Sequence, residues 1–236
     1  MENENLKGFE ILIRIMNLLR GPKGCPWDRE QTKDSMKWYL IEECYEVLDA
    51  IETESSEKLK EELGDTLFQI LFIAQLSEEQ GDFNIFDVIR SVKEKMIRRH
   101  PHVFKDKEAK DALDVKKIWW EIKEKEKAKE GKSILDSIPC ALPSLLKSFR
   151  ILKRAAHAGY DSDKTDDVLH KFDRRIEKFK ESLKSQDKDR IEDELGKVLF
   201  SLTNIGRLFE INPEEALRKK NIEFSKWFKT EKELIG

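Results

Sequence analysis

Apolar residues recur at three- and four-residue steps through nearly the whole chain. In FEILIRIMNLLR (9–20) they fall at Phe9, Leu12, Ile13, Met16 and Leu19, which is one face of a helix with 3.6 residues per turn. GPKGCPWD (21–28) breaks that pattern with two glycines and two prolines. A second helix is predicted through YLIEECYEVLDAI (39–51), interrupted by ETESSEK. A third runs from about residue 57 to 79, with Leu63, Leu67, Ile70, Leu71 and Ala74 as its expected core side. A fourth covers 84–99 and stops before Pro101. No stretch alternates as a strand would. The expected fold class is all-α, built of small antiparallel helix bundles with short connections.

KDKEAKDALDVKKIWWEIKEKEKAKEGK then reads as a charged connector, helical over about 115–129 and stopped by Gly131. Dense Lys and Glu mark a solvated face. Trp119 and Trp120 are the exception, because two adjacent indoles cannot both face water without cost.

Beyond the connector the pattern repeats. EELGDTLFQI (61–70) has its partner in DELGKVLFSL (193–202), at an offset of 132 that holds without a gap through the preceding helix. Leu40, Val47, Leu63, Gly64, Leu67, Phe68, Ile73 and Leu76 fall on Phe172, Phe179, Leu195, Gly196, Leu199, Phe200, Ile205 and Leu208. An internal repeat of this kind implies two similar helical units. The expected organisation is 1–105, a connector over 106–132, and a second copy over 133–236.

The copies differ in charge. Glu42, Glu43 and Glu46 crowd into little more than one turn, where like charges three and four apart repel. Their counterparts are Arg174, Arg175 and Lys178, while Glu62 meets Glu194 and Asp65 meets Lys197. Five acids have become four bases and one acid, with the apolar neighbours held. A decorated surface would exchange piecemeal; this reversal points to one acidic site that lost its cation in the second copy. Glu43 and Glu46 share one helix face, and Glu62 and Asp65 share a face of the next. If those faces meet, four carboxylates converge. Oxygen ligands without His or Cys favour magnesium or manganese over zinc or iron. None of His100, His102, His157 and His170 follows a Glu at the spacing that a di-iron carboxylate bundle uses. EExxE alone carries little, since about two matches are expected by chance in a chain this acidic; the second acidic pair and the reversal carry the inference.

Composition narrows the class further. Charged residues are 39 % of the 236, yet the net charge is −3, so the basic footprint of a nucleic-acid binder is missing and no specific nucleic-acid binding is expected. Mean hydropathy is −0.66, and no apolar run approaches a membrane span. MENENLKGFE lacks the basic-then-apolar layout of a secretory leader. Cys25, Cys44 and Cys140 are odd in number and far apart, suggesting neither a disulfide framework nor a zinc site. A cytoplasmic location is expected.

Glu42-Glu43-x-x-Glu46 followed by Glu62-x-x-Asp65 resembles the all-α nucleoside triphosphate pyrophosphohydrolases, and GCPWDREQT, EELGDTLFQ and RRHPHVF narrow the resemblance to the MazG family. It covers nearly the full length. The resemblance implies magnesium held by Glu43, Glu46, Glu62 and Asp65, with manganese as a possible substitute. It also implies cleavage of nucleoside triphosphates between the α and β phosphates, broad in base, and assembly as a homodimer or higher homo-oligomer. Glu42 would be a ligand, a base for the attacking water, or a partner for a basic group. Lys58, Lys95 and Arg99 match positions that resemble phosphate binders, and Trp119 matches a Trp near the base pocket or is a core anchor. Trp27 and Asp28 would shape the site mouth or plug a turn, and His100 and His102 are expected in a loop.

The second copy departs from that pattern. Lys95 and Arg99 meet Glu223 and Trp227 once four residues are gapped, and the Trp119 segment has no equivalent. Catalysis is therefore expected in 1–105, with 133–236 a degenerate copy. The competing expectations are a specialist pyrophosphatase, of dUTPase or phosphoribosyl-ATP type, and a helical scaffold without activity.

Overall fold

The described residues of the computed structural model are 2–53, 55–105, 107–129, 131, 133–160 and 165–235, without the side chains of 2–6, 166 and 232–235. Asp106 and Lys132, the two ends expected for the connector, lie outside them. Among the described residues the regular elements are helices and none is a strand. None of these helices is long and apolar enough to cross a membrane. The chain divides into two compact units, Met1–Trp119 and Trp120–Gly236.

The first unit starts with α1 (Glu2–Arg20), a short α2 (Pro26–Glu30), α3 (Lys33–Glu52) and α4 (Ser56–Glu79). α5 (Ile85–Arg99), α6 (Pro101–Phe104) and the start of α7 (Ala112–Lys129) follow. GPKGCPWD does break the chain, but its second proline opens α2, where a missing N–H costs nothing. Gly24 is needed in that break, because a β-carbon there would collide with the carbonyl oxygens of Leu18 and Leu19.

α3 begins at a capping box, in which Thr32 Oγ1 accepts from Ser35 N at 3.2 Å and Ser35 Oγ from Thr32 N at 3.0 Å. Asn84 starts α5 with a second capping box, paired with Asp87, and Ser55 caps α4 by accepting from Lys58 N. α3 and α4, joined by a short turn, pack along each other, with α1 and α5 laid against α4.

Met16, Met36, Leu71, Phe72, Ala74, Leu76 and Ile85 form the core. Leu71 and Ala74 were expected there. Leu63, Leu67 and Ile70, expected beside them, are instead 52, 38 and 40 % exposed. They form one stripe on α4, and Trp38, Ile41, Tyr45 and Leu48 form another, also exposed, on α3. The periodicity identified an apolar face correctly, but that face is not covered within this unit.

α7 starts at Ala112, three residues before the expected start, because Asp111 Oδ1 accepts from the backbone of Leu113 at 2.8 Å and of Asp114 at 2.9 Å. It ends at Lys129, two residues before Gly131, whose φ of +66° few side chains tolerate. The division between units falls inside this helix, between the two indoles. Trp119 and Trp120 are both half-buried.

The second unit holds the rest of α7, a turn of 3-10 helix at Leu135–Ser137, and α8 (Ser144–Ala155). A widened turn at Ala156–Tyr160 leads toward α9 (Thr165–Ser185), α10 (Lys188–Leu208) and α11 (Pro213–Ile235). Adding 132 to the bounds of α3 and α4 gives 165–184 and 188–211, matching α9 and α10 at both starts. Asn212 caps α11, accepting from Glu214 N at 3.2 Å, as Asn84 caps α5. The fold is thus all-α with two tandem copies of one helical unit.

Arg20 ties the ends of the first unit's core together. Its guanidinium, 8 % exposed, donates to both oxygens of Glu79 at 2.7 and 2.6 Å and to the carbonyl of Asp28, and lies over the Phe72 ring. The hydrogen bonds from Arg20 hold the Glu79 carboxyl below the ordinary carboxylate range. Such a group adds stability above its unfolded pKa, and the contribution is lost as pH falls through its lower folded value. Arg20→Ala is expected to cost about 2 kcal/mol at neutral pH, a modest figure because Glu79 still reaches water. Urea unfolding should show the gap between variant and wild type narrowing as pH falls below about 4. A gap independent of pH would mean that packing alone supplies it.

Candidate functional site

α3 and α4 bring acidic faces together. One carboxylate oxygen each from Glu43, Glu62 and Asp65 lies within 4.8 Å of the others. Glu43 is half-buried, Glu62 is buried at 7 % exposure, and Asp65 is exposed. Burial pushes the Glu43 carboxyl up, a hydrogen bond from Gln69 pulls against it, and the charges of Asp65, Glu46 and Glu42 push it further up. Burial also raises Glu62, followed by the charge of Glu46 and a hydrogen bond between those two carboxyls. Glu46 therefore stands against Glu62 at the edge of the tight trio. Glu42 is exposed beside Glu43.

Of the basic residues assigned to the site, Lys58 is on hand, its Nζ 4.0 Å from Glu62 Oε1 on the same helix face. It is half-exposed, and one such ammonium offsets little of the local charge. Lys95 and Arg99 stand one turn apart on α5, both half-buried. Arg99 lies over the Trp119 ring, 5.5 Å from its centroid. The structure joins Arg99 to Trp119 and Lys58 to Glu62, and among the described residues it gives Lys95 no ion pair with the acids.

Trp27 packs edge-on against Tyr39 at 5.8 Å, and buried Asp28 is held through its carbonyl by Arg20. Both lie in α2. His100 caps the end of α5, its Nδ1 2.7 Å from the carbonyl of Met96. His102 lies in the single turn of α6 rather than in a loop, since Pro101 starts a helix as readily as it stops one.

Gln69 was not singled out from the sequence. It is buried one turn beyond Asp65, and its Nε2 donates to Glu43 Oε1 at 3.3 Å. A signal for it existed, because the offset of 132 replaces Gln69 by Ser201 where the acids are also lost.

In the second unit the corresponding place is built differently. Lys197, at the position of Asp65, donates to Glu194 Oε1 at 2.9 Å and also to Asp193. Those two hydrogen bonds raise the lysine above its ordinary range. An ammonium from the chain itself thus sits beside Glu194, the counterpart of buried Glu62.

The donor set of the first unit fits a hard divalent cation. It is oxygen only and it converges, burial and neighbouring carboxylates raise Glu43 and Glu62, and Lys58 is the basic candidate seen beside it among the described residues.

Residues 31–104 match the MazG nucleotide pyrophosphohydrolase domain. A nucleoside triphosphate pyrophosphohydrolase/pyrophosphatase MazG of Thermotoga maritima is 43 % identical over 227 residues, covering 96 % of this chain and 86 % of that protein. A nucleoside triphosphate pyrophosphohydrolase of Escherichia coli K12 is 39 % identical over 232 residues, covering 97 % and 88 %. A crystal structure of a MazG-related protein from Thermotoga maritima aligns with a TM-score of 0.43 and 28 % identity, over 49 % of this chain and 98 % of that one. The chain belongs to the MazG family.

Carboxylates with raised pKa values weaken the metal-free fold once ionised. Its stability therefore falls as pH rises from the ordinary carboxylate range through their folded values. Glu62→Gln is expected to raise the melting temperature in chelator and to lose most of the upward shift that a divalent cation gives the wild type. Thermal melts with and without magnesium or manganese check both halves. A wild type indifferent to the cation would mean that the cluster holds none.

Proposed function

We propose that the chain hydrolyses nucleoside triphosphates between the α and β phosphates, giving monophosphate and pyrophosphate, with its site in the N-terminal half and little selection of the base. The observation that supports this most is the oxygen-only cluster of Glu43, Glu62 and Asp65, set against a second unit where an internal ion pair stands at the matching place. The relatives carry names of the same activity. Residues 106–132 then act as connector and 133–236 as a copy without catalysis.

Glu43, Glu62 and Asp65 would hold magnesium, or manganese in its place, with Glu46 as a further ligand beside Glu62. The cation supplies Lewis-acid neutralisation of phosphate charge and a water of lowered pKa. Gln69 fixes Glu43 from behind, so that its oxygens stay aimed at the cluster. Glu42, exposed next to Glu43, is placed to take the proton from the water that adds to the α phosphorus as pyrophosphate leaves. Lys58 lies close enough to lend positive charge to the departing phosphates, and Lys95 and Arg99 would bind the rest of the chain of phosphates. Trp119, with Arg99 already over its ring, gives the base a flat apolar wall. A cytoplasmic location accords with free Cys25, Cys44 and Cys140.

A homodimer completes this reading. The exposed stripes on α3 (Trp38, Ile41, Tyr45, Leu48) and α4 (Leu63, Leu67, Ile70) are self-complementary in chemistry and flank the acidic face. A second copy covering them would exclude water from both sites. Light scattering should give twice the chain mass, and Leu67→Glu should shift it toward the monomer. A wild-type monomer at micromolar concentration would overturn the dimer.

A panel of triphosphates with magnesium, resolved into monophosphate plus pyrophosphate or diphosphate plus phosphate, tests the reaction itself. Asp65→Asn should lower turnover by about a hundredfold or more, since loss of an outer-shell partner alone costs ten- to a hundredfold. Glu194→Gln should leave turnover near wild type, because its carboxylate is held by Lys197. Loss of turnover in Glu194→Gln with assembly intact would give the second unit a catalytic part.

A further inference from the structure

The second unit keeps a cavity where the first has its acids. It is a depression open to solvent, of about 400 Å³, with Arg175, Gly196, Lys197, Phe200 and Ser201 on its wall. These are the counterparts of Glu43, Gly64, Asp65, Phe68 and Gln69 at the offset of 132. Glu192 and Asp193 complete the lining.

Lys197 is engaged with Asp193 and Glu194, which offset its charge. Arg175 is not engaged. It is half-buried, and among the described residues it makes no hydrogen bond or ion pair. Arg174 and Lys178, its neighbours on α9, are likewise without a carboxylate partner there, so nothing local draws the guanidinium away from the cavity. A fold that merely discarded a metal site would gain by pairing such a group, since burial without a counter-charge costs free energy.

The wall offers specific chemistry. Arg175 presents a planar fork of N–H donors that matches phosphate. Lys197 spends two of its three N–H bonds on the acids and keeps one. Ser201 adds a hydroxyl donor. Gly196 leaves open space, as a β-carbon there would meet nothing within 4 Å. Phe200, 42 % exposed, offers a ring on which an aromatic base can stack.

We propose that this cavity is a second, metal-independent binding site for a nucleotide, held by its phosphate on Arg175 and by its base on Phe200. It is separate from the catalytic reading above, and chelator separates the two experimentally. The full chain is titrated calorimetrically in EDTA with AMP, adenosine, inorganic phosphate and pyrophosphate. AMP should bind, more tightly than adenosine or phosphate. Arg175→Ala should weaken AMP about tenfold or more, and Phe200→Ala should weaken AMP but not phosphate. The affinity should fall with added salt.

Arg175 has no partner to orphan, so the alanine variant should fold; Arg175→Gln and Ser201→Ala give the same test should it not. Three results would each overturn the proposal: no AMP binding in EDTA, AMP binding unchanged by these substitutions, or phosphate and pyrophosphate as tight as AMP. Magnesium-dependent turnover unaffected by Arg175→Ala is expected alongside, and it leaves the first-unit reading to stand or fall by its own assay.

Discussion

Glu62 is a carboxylate withdrawn from water inside a helix pair that already sets Glu43 and Asp65 against it. That is the constraint around which the first unit is arranged. Left alone, the trio would drive α3 and α4 apart or take up protons, and burial is the first cause of the raised pKa at both glutamates. The fold resists separation from the other side of the same helices. Met36 on α3 and Leu71, Phe72 and Ala74 on α4 are packed into the core. Hydrophobic burial on one face thus holds like charges together on another, and the Gln69 hydrogen bond keeps Glu43 from rotating out of the arrangement.

The second unit meets the same geometric problem by a different chemical route. Its helices α9 and α10 begin at the positions that the duplication dictates. Glu194 remains in the place of Glu62, but Lys197 supplies an ammonium at 2.9 Å in place of a carboxylate. With Lys197 shared between Asp193 and Glu194, part of that charge is offset inside the chain and the pull toward an external cation is weaker. Gln69, whose task is to hold an acid, becomes Ser201 once that acid becomes Arg175. The changes form one set, as expected when a single interaction is exchanged for another, and they leave the apolar repeat undisturbed.

Much of this was legible in the sequence, because helix periodicity and capping residues act locally. Ser55 and Asn84 sit beside the expected starts of α4 and α5, and the repeat placed α9 and α10 within a few residues, whereas α3 begins after Thr32, six residues before the expected 39. Four carboxylates, Glu43, Glu46, Glu62 and Asp65, were expected to converge from facing helix surfaces; the structure brings oxygens of Glu43, Glu62 and Asp65 within 4.8 Å of one another and leaves Glu46 outside that trio, against Glu62. The errors have physical causes. Leu63, Leu67 and Ile70 have the spacing of a core face, and periodicity records that a face is apolar without recording what covers it. α2 was read only as a break, since five residues are too few for a periodic signal. Gln69 escaped notice because a neutral amide has no charge pattern, so its role appears only when a partner is seen across the helix pair.

The adjacent tryptophans show how the linear chain joins the two solutions. Successive residues on a helix point about 100° apart, so neighbouring indoles cannot share one packing site. Trp119 receives the Arg99 guanidinium within the first unit. Trp120 lies 4.5 Å from the His157 ring within the second, with Lys123 over its face at 5.0 Å. The boundary between units falls between the two. A helix that reads as a charged, solvated connector therefore gives each unit one indole, Trp119 against Arg99 and Trp120 against His157. The cost of exposing two indoles is met by burying each in part, and His157 records it, since burial is the first cause that lowers its pKa. Removing one should therefore disturb only the contacts of its own unit, Arg99 for Trp119 and His157 for Trp120.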